Sequence, residues 1–199
     1  MNGTQQQRKS SLRHRVRSAL QALAPADRLA GSMKACARLQ QEPVWRDARR
    51  VLLYSPLPDE LDVWPLLREA LLAGKNVALP RFDPVHNSYL ACRVLNPNDD
   101  LQVGRYGIRE PRDNCPAVRL NQLDFVLVPG VAFALDGRRL GRGKGFYDRL
   151  LMSVRGNKCG AGFDEQIVDD LPVEPHDIRL DCILTPTRWR SAEPRAVLK

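Results

Sequence analysis

The sequence predicts an α/β protein with three layers, α/β/α, around a mainly parallel β-sheet. Short apolar runs such as residues 124–130 alternate with segments whose apolar residues recur at helical spacing, which is typical of layered α/β folds. Proline and glycine separate these segments and mark their ends. The length of 199 residues suits one domain with a substantial core, so we predict a single domain over residues 1–199 with an N-terminal helical segment at about residues 4–42.

Three helices are predicted in the N-terminal part of the chain. The first covers most of residues 1–23, where apolar side chains recur at helical spacing: Leu12, Val16, Ala19, Leu20 and Leu23. The second begins near Pro25, because proline suits the first helical turn. Its predicted apolar face consists of four side chains: Leu29, Met33, Cys36 and Ala37. Asp62 is a candidate N-cap for a third helix over residues 63–73, which Gly74 would end.

Six strands are predicted from apolar runs bounded by turn residues: residues 49–57, 76–82, 88–95, 124–130, 158–163 and 182–186. Segment 96–116 is rich in proline, glycine and charge, and we predict a long loop there. Asp136 and Gly137 predict a turn. A last helix is predicted from Gly145 to Val154.

Composition and charge restrict the class of protein. The net charge of +8 favours anionic partners, such as phosphorylated small molecules, polyanionic cofactors or nucleic acid. No apolar run approaches the roughly 20 residues that cross a bilayer, and no secretory signal is visible, so we predict no membrane association. The five scattered cysteines, none in a CxxC pair, indicate a reducing compartment, and we predict a cytoplasmic protein.

Glycines and cations alternate in residues 139–145, ahead of the last predicted helix. Glycine lets the chain take positive φ and lets a ligand approach the backbone closely. Arg142 and Lys144 lie between the glycines, and a following helix would point free N–H groups at the same place. This pattern predicts a polyphosphate site, and the alternative is a glycine-rich turn with solvated arginines.

The segment differs from two well-known phosphate loops. A Walker A loop needs glycine at position 138 and Ser or Thr at 145, where this chain has Arg138 and Gly145. A dinucleotide fingerprint needs glycine where Phe146 stands. Asp148 lies close to the same loop, and a carboxylate beside a polyphosphate is a candidate Mg²⁺ ligand. The alternative for Asp148 is an acid that stabilises the first turn of the helix.

These residues carry a resemblance to a known family. The run VPGVAFALDGRRLGRGKGFYDRLL, with RKSSLR, PLPDELDVWPLL, GIREP and LPVEPHDIRLDCILTP in the same order, resembles the 5-formyltetrahydrofolate cyclo-ligase family over nearly the whole chain. The resemblance implies a three-layer α/β/α fold related to sugar-phosphate isomerase and CoA-transferase folds. It also implies ATP- and Mg²⁺-dependent cyclisation of 5-formyltetrahydrofolate to 5,10-methenyltetrahydrofolate. A phosphorylated formyl (imidate) intermediate would form, and ADP and phosphate would be released.

The resemblance also assigns roles to residues, position by position. The implied ATP-binding residues are Lys9, Arg13, Arg139, Leu140, Gly141, Arg142, Gly143, Lys144, Gly145, Phe146 and Tyr147. Among these, Arg142 and Lys144 are the implied catalytic residues, because they match positions close to the transferred phosphoryl group. The implied folate-binding residues are Leu57, Glu60, Asp62 and Tyr147. Asp148 and Asp177 are the implied Mg²⁺ ligands, with Asp181 as the alternative to Asp177.

The expected partners are therefore small molecules: a folate that can carry a polyglutamate tail, and ATP. A monomer is expected. Two other functions stay open. A family relative could use the same ATP site with a different acceptor, although Leu57, Glu60 and Asp62 argue against it. A basic nucleic-acid-binding protein is disfavoured, because the N-terminal cations interleave with an apolar stripe and no RNA-binding motif with stacking aromatics is present.

Overall fold

The computed structural model describes residues 3–104, 107–172, 174 and 177–192. Its helices are α1 (Gly3–Ala22), α2 (Pro25–Gln41), α3 (Pro43–Arg46), α4 (Trp64–Leu72), α5 (Pro97–Asp100) and α6 (Phe146–Leu151). Its strands are β1 (Arg50–Leu52), β2 (Asn76–Asp83), β3 (Ser88–Val94), β4 (Leu101–Val103), β5 (Arg109–Pro111), β6 (Phe125–Pro129), β7 (Ala132–Phe133), β8 (Arg139–Leu140), β9 (Asn157–Ala161), β10 (Cys182–Leu184) and β11 (Trp189–Ser191). None of the helices in these ranges is both long and apolar enough to cross a membrane.

A seven-stranded sheet organises the molecule, with the strand order β11-β10-β9-β6-β1-β2-β3. The five central strands are parallel to one another, and β3 and β11 run antiparallel at the two edges. Two small antiparallel pairs, β4–β5 and β7–β8, lie outside this sheet. The predicted mainly parallel sheet is confirmed.

The sheet separates two hydrophobic cores, because side chains alternate between its faces. In β6, whose five residues are all buried, Phe125 and Leu127 enter one core, and Val126 and Val128 enter the other. Helices α1 to α4 cover the first core, and α6 covers the second. The arrangement is three layers, as the sequence predicts.

The buried face agrees with the prediction for most of α1 and differs from it in α2. In α1, Leu12, Val16 and Leu20 are buried as predicted, whereas Ala19 is exposed. The face predicted for α2 is correct at Cys36, which is buried, and wrong at Leu29, Met33 and Ala37. Leu29 and Met33 are 60% and 61% exposed, and Ala37 is also exposed. The residues of α2 that are buried are Ser32, Ala35, Cys36 and Leu39. Small residues allow α2 to approach its neighbours closely, since a Cβ at Gly31 would lie 3.1 Å from the Phe163 ring.

Several predicted boundaries also need correction. Of the strand predicted at 49–57 only β1 forms, and residues 53–63, which include Pro56 and Pro58, form no regular element. The loop predicted at 96–116 contains α5, β4 and β5. The last helix is shorter than predicted, with six residues in α6. The prediction of Asp62 as the N-cap of α4 is wrong, because the N-cap is Val63 and carries no side-chain cap. Asp62 lies one residue earlier, where its Oδ1 accepts a hydrogen bond from Trp64 N at 2.9 Å.

Candidate functional site

A cavity of about 440 Å³ opens where β1 and β6 end and the chain leaves the sheet. Ligands of parallel α/β sheets bind at this carboxyl edge, because the loops there diverge. Its walls come from α1, from the segment after β1, from β2 and β3, and from residues 139–148. Glu174 and Asp177 complete one side.

The glycine segment (residues 141–145) forms the rim of this cavity. Gly143 has φ of 97° and Gly145 has φ of 65°, in the left-handed region that glycine adopts without strain. Gly145 directly precedes α6. Because α6 has only six residues, the positive charge of this rim comes from the cations of the loop and its backbone N–H groups rather than from a long helix.

Two arginines fix the glycine segment from either end. Arg13 on α1 donates from Nε to the carbonyl oxygen of Gly141 at 3.0 Å. Arg139, whose side chain is 4% exposed, donates from Nη2 to Asp148 Oδ1 at 2.5 Å and from Nη1 to the Pro129 carbonyl at 3.3 Å. Burial, followed by the nearby charge of Arg17, lowers the pKa of Arg13. The helix α1 is thereby part of the site, as the sequence predicts.

Lys9 faces two carboxylates deep in the cavity. Its ammonium group lies 3.1 Å from Glu174 Oε2 and 3.6 Å from Asp177 Oδ2, and its side chain is 8% exposed. A lysine so far from water requires a partner of opposite charge. Lys9 takes this position because it continues the buried stripe of α1, one turn before Leu12.

Arg142 connects the glycine segment with the acidic segment (residues 57–60) across the cavity. Its Nη2 lies 2.6 Å from Asp59 Oδ1 and 3.1 Å from Glu60 Oε1. Burial raises the pKa of Glu60, although the Leu57 N–H and Arg142 oppose the shift. Burial also opposes the charge of Arg142, but attraction to Glu60 and Asp59 outweighs it and raises the pKa of Arg142.

Aromatic rings line the side of the cavity beside the glycine segment. Phe146 packs edge-on against Phe82 and Tyr89, with ring centroids 5.6 and 5.1 Å apart. Tyr89 also lies 5.9 Å from the ring of Tyr147. Burial raises the pKa of Tyr147 well above its ordinary value, so its hydroxyl stays protonated. Such a wall suits a flat, partly apolar ring.

The carboxylates of the cavity fit a Mg²⁺ ion that shares its ligands with a polyphosphate. Asp148 and Asp177 both line the cavity, and Mg²⁺ usually takes one or two carboxylates together with phosphate oxygens and water. Within the described ranges, no group of three or more His, Cys, Asp or Glu side chains could hold a metal by itself. Asp181 lies elsewhere, where it accepts from Lys158 N at 2.8 Å.

The structure brings nearly all of the predicted site residues to one cavity, which every implied ATP-binding residue and both implied metal ligands line. Leu57 and Glu60 line it as well. Asp62 does not: it lines an adjoining groove of about 430 Å³, together with Leu57 and Glu60. Arg109 lines that groove as well.

Some cavity residues have no motif that would single them out in the sequence: Ser55, Phe82, Tyr89, Glu110 and Glu174. Phe82 and Tyr89 lie opposite each other in the β2–β3 hairpin, but this pairing follows from the register of the two strands and not from the sequence spacing alone. The sequence does contain a signal for Asp59 at the rim, since it belongs to a cluster of acids with Glu60 and Asp62.

These features define an α/β protein with a cavity at the carboxyl edge of a parallel sheet, lined by a glycine-rich segment and by paired cations and acids. Comparison with known proteins agrees. A model of the 5-formyltetrahydrofolate cyclo-ligase family matches residues 5–186. The chain therefore belongs to this family, and the predicted family, fold class and enzyme class are confirmed.

Individual relatives match over most of their length. The chain is 34% identical to the 5-formyltetrahydrofolate cyclo-ligase of Escherichia coli K12 over 177 residues, which cover 87% of this chain and 97% of that protein. It is 27% identical to the cyclo-ligase of Mus musculus, over 88% and 92% of the two chains. The NMR structure of Aquifex aeolicus 5,10-methenyltetrahydrofolate synthetase superposes with a TM-score of 0.85 at 37% identity and covers 96% of each chain.

Proposed function

We propose that this enzyme uses ATP and Mg²⁺ to cyclise 5-formyltetrahydrofolate to 5,10-methenyltetrahydrofolate. The observation that carries the proposal is that one cavity holds both the cations of the glycine segment, which suit phosphate groups, and the buried carboxylate of Glu60. The reaction is inferred from the family, and each of its reactants can be assigned to a group of residues that line the cavity.

The formyl oxygen is a poor leaving group, and phosphorylation converts it into a good one. In the proposed reaction this oxygen attacks the γ-phosphorus of ATP, and ADP leaves. N10 then attacks the activated formyl carbon and releases its proton, and the ring closes as the bond from that carbon to the former formyl oxygen breaks and phosphate departs. The protein must mainly align the reactants and neutralise phosphate charge.

The cationic side of the cavity is assigned to the triphosphate. Lys9 and Arg13 face it from α1, while Arg142 and Lys144 face it from the glycine segment. We assign Arg142 and Lys144 to the transferred phosphoryl group. Backbone N–H groups of residues 141–145 can approach phosphate oxygens closely, because Gly143 and Gly145 carry no side chain.

The opposite side is assigned to the folate. A carboxylate matches the ring edge of a pteridine, which presents adjacent N–H donors, and Glu60 is the buried carboxylate of the cavity wall there. Leu57 and Tyr147 would pack against the ring system. Asp62, which accepts from Trp64 N and lines the adjoining groove, would lie beyond the ring, towards the rest of the folate.

Asp148 and Asp177 are proposed to hold the Mg²⁺ of the nucleotide. When bound, that ion neutralises phosphate charge and orients the terminal phosphate. Arg139 holds Asp148 and Lys9 holds Asp177, so both carboxylates are positioned before any ligand arrives.

The test is direct. Purified protein with ATP, Mg²⁺ and 5-formyltetrahydrofolate should show rising near-ultraviolet absorbance from the methenyl product, together with one ADP per product. Absence of product at saturating ligands would refute the proposal. Turnover with another acceptor, and none with the formyl-folate, would favour a relative that has kept only the ATP site. Expected alongside are a monomer in sedimentation analysis and a cytoplasmic location.

A further inference from the structure

An ion pair crosses the mouth of the cavity between the acidic segment and the glycine segment. Arg142 Nη2 lies 2.6 Å from Asp59 Oδ1, which is the shorter of its two carboxylate contacts. The second contact, to Glu60, is 3.1 Å long. One guanidinium is therefore shared between two neighbouring acids.

The two acids have different surroundings. Glu60 lines the cavity, and its side chain is 7% exposed. Asp59 is 31% exposed and lies on the rim, outside the set of residues that line the cavity. A ligand in the cavity would thus meet Glu60, whereas Asp59 could affect that ligand only through Arg142.

The contact between Arg142 and Glu60 uses only one carboxylate oxygen. Both Nε and Nη2 of Arg142 point to Glu60 Oε1, at 3.3 and 3.1 Å. The other oxygen, Oε2, accepts the N–H of Leu57 at 3.0 Å. A guanidinium normally prefers a two-oxygen, bidentate pair with a carboxylate, and such a pair would occupy Glu60 on both sides.

We propose that Asp59 is a positioning residue that keeps Arg142 from closing onto Glu60. It holds Nη2 from outside the cavity, which leaves Glu60 available to the pteridine edge and keeps the cation of Arg142 over the phosphate side. The inference rests on the proposed function and adds to it a residue that touches neither substrate. Without the charge of Asp59, Arg142 would form the bidentate pair and withdraw Glu60 from the folate.

The kinetic test uses Asp59→Asn, which removes the charge and keeps the shape. The contact between Asp59 and Arg142 is short, but the side chain of Asp59 is 31% exposed, and water weakens the attraction. The expected rise in KM for 5-formyltetrahydrofolate is therefore about threefold to tenfold. The melting temperature should stay within a few degrees of wild type. Asp59→Glu, which restores the charge, should recover part of the loss.

A double variant separates positioning from a direct role. In an Arg142→Ala background, Asp59→Asn should have no further effect on KM, because Asp59 acts only through Arg142. The matched control is Asp136→Asn, which removes the acid from a comparable ion pair with Arg138, 2.8 Å long and outside the cavity wall. It should leave KM unchanged.

A crystal structure of the Asp59→Asn protein tests the inference independently of turnover. Arg142 is expected on both oxygens of Glu60, and an unchanged one-oxygen contact would overturn the proposal. Two kinetic results would also overturn it: a KM in Asp59→Asn equal to that of wild type, whatever the melting temperature, or an equal rise in KM when Asp59→Asn is added to the Arg142→Ala variant. If the wild-type protein itself shows no turnover, the proposed function fails, and the structure of the variant decides the role of Asp59.

Discussion

Glu60→Gln tests the folate side of the site most sharply, because the change removes one charge and keeps the shape of the side chain. The carboxylate of Glu60 accepts from Leu57 N at 3.0 Å and from Arg142 at 3.1 Å, and its remaining acceptor capacity faces the cavity. A charge-assisted hydrogen bond contributes about 1.5–3 kcal/mol. The loss predicts a rise in KM for 5-formyltetrahydrofolate of roughly tenfold to a hundredfold, at tenfold per 1.4 kcal/mol.

The same substitution should not destabilise the protein near neutral pH. Burial raises the pKa of Glu60, so its protonated form is more favoured in the folded state than in the unfolded chain. The stability that this shift contributes is fully present below the ordinary pKa of 4.5, and it is lost as the pH rises through the higher folded value. Glutamine resembles the protonated form at every pH. The melting temperature of Glu60→Gln relative to wild type should therefore increase as the pH rises from 4 towards 7.

The assays are steady-state kinetics of methenyl formation and thermal melts across that pH range. Glu69→Gln is the control, since Glu69 carries a buried carboxylate oxygen on α4, outside the cavity wall. It should leave KM unchanged. Equal KM values for Glu60→Gln and wild type would refute the assignment of Glu60 to the folate. A large fall in melting temperature near pH 7 would refute the account of its burial.

Three further substitutions test the phosphate side. Lys144→Ala should lower kcat by roughly a hundredfold or more, the scale for losing a preorganised charge at a developing oxyanion, and near-normal turnover would remove Lys144 from the site. Asp148→Asn should raise the Mg²⁺ concentration needed for half-maximal rate without unfolding the protein; a large fall in melting temperature instead would indicate a structural role with Arg139. Gly143→Ala, at φ of 97°, should raise KM for ATP, because a side chain strains the loop there, and an unchanged KM would show that the loop tolerates it.

The fold was predictable where one physical signal dominated. The run at 124–130 is apolar on both faces, and it became the fully buried central strand β6 between two cores. The face of α2 was not predictable from apolar spacing. Leu29 and Met33 are larger than Ser32 and Ala35, yet the smaller side chains face inward, because close approach to neighbouring elements decides the rotation of this helix.

The site was predictable where chemistry is concentrated in sequence. Residues 139–148 can be recognised in the sequence by their glycines, their charges and the spacing between them, and all of them line the cavity. Phe82, Tyr89 and Glu174 are brought to the cavity only by tertiary structure. Phe82 faces Tyr89 through the register of the β2–β3 hairpin, and local sequence patterns contain no information about that register beyond the alternation of faces.

The pairing of charges in the cavity suggests how the proposed ligands would be accommodated together. Each of three buried or half-buried cations lies against acids: Lys9 against Asp177, Arg139 against Asp148, and Arg142 against Glu60. The triphosphate would add anionic partners for the same cations, and Mg²⁺ would add a cationic partner for Asp148 and Asp177. The N–H groups at the edge of the pteridine would donate hydrogen bonds to Glu60. Arrival of the nucleotide at Arg142 would then weaken its hold on Glu60 and favour folate binding, so one shared cation would couple the two halves of the site.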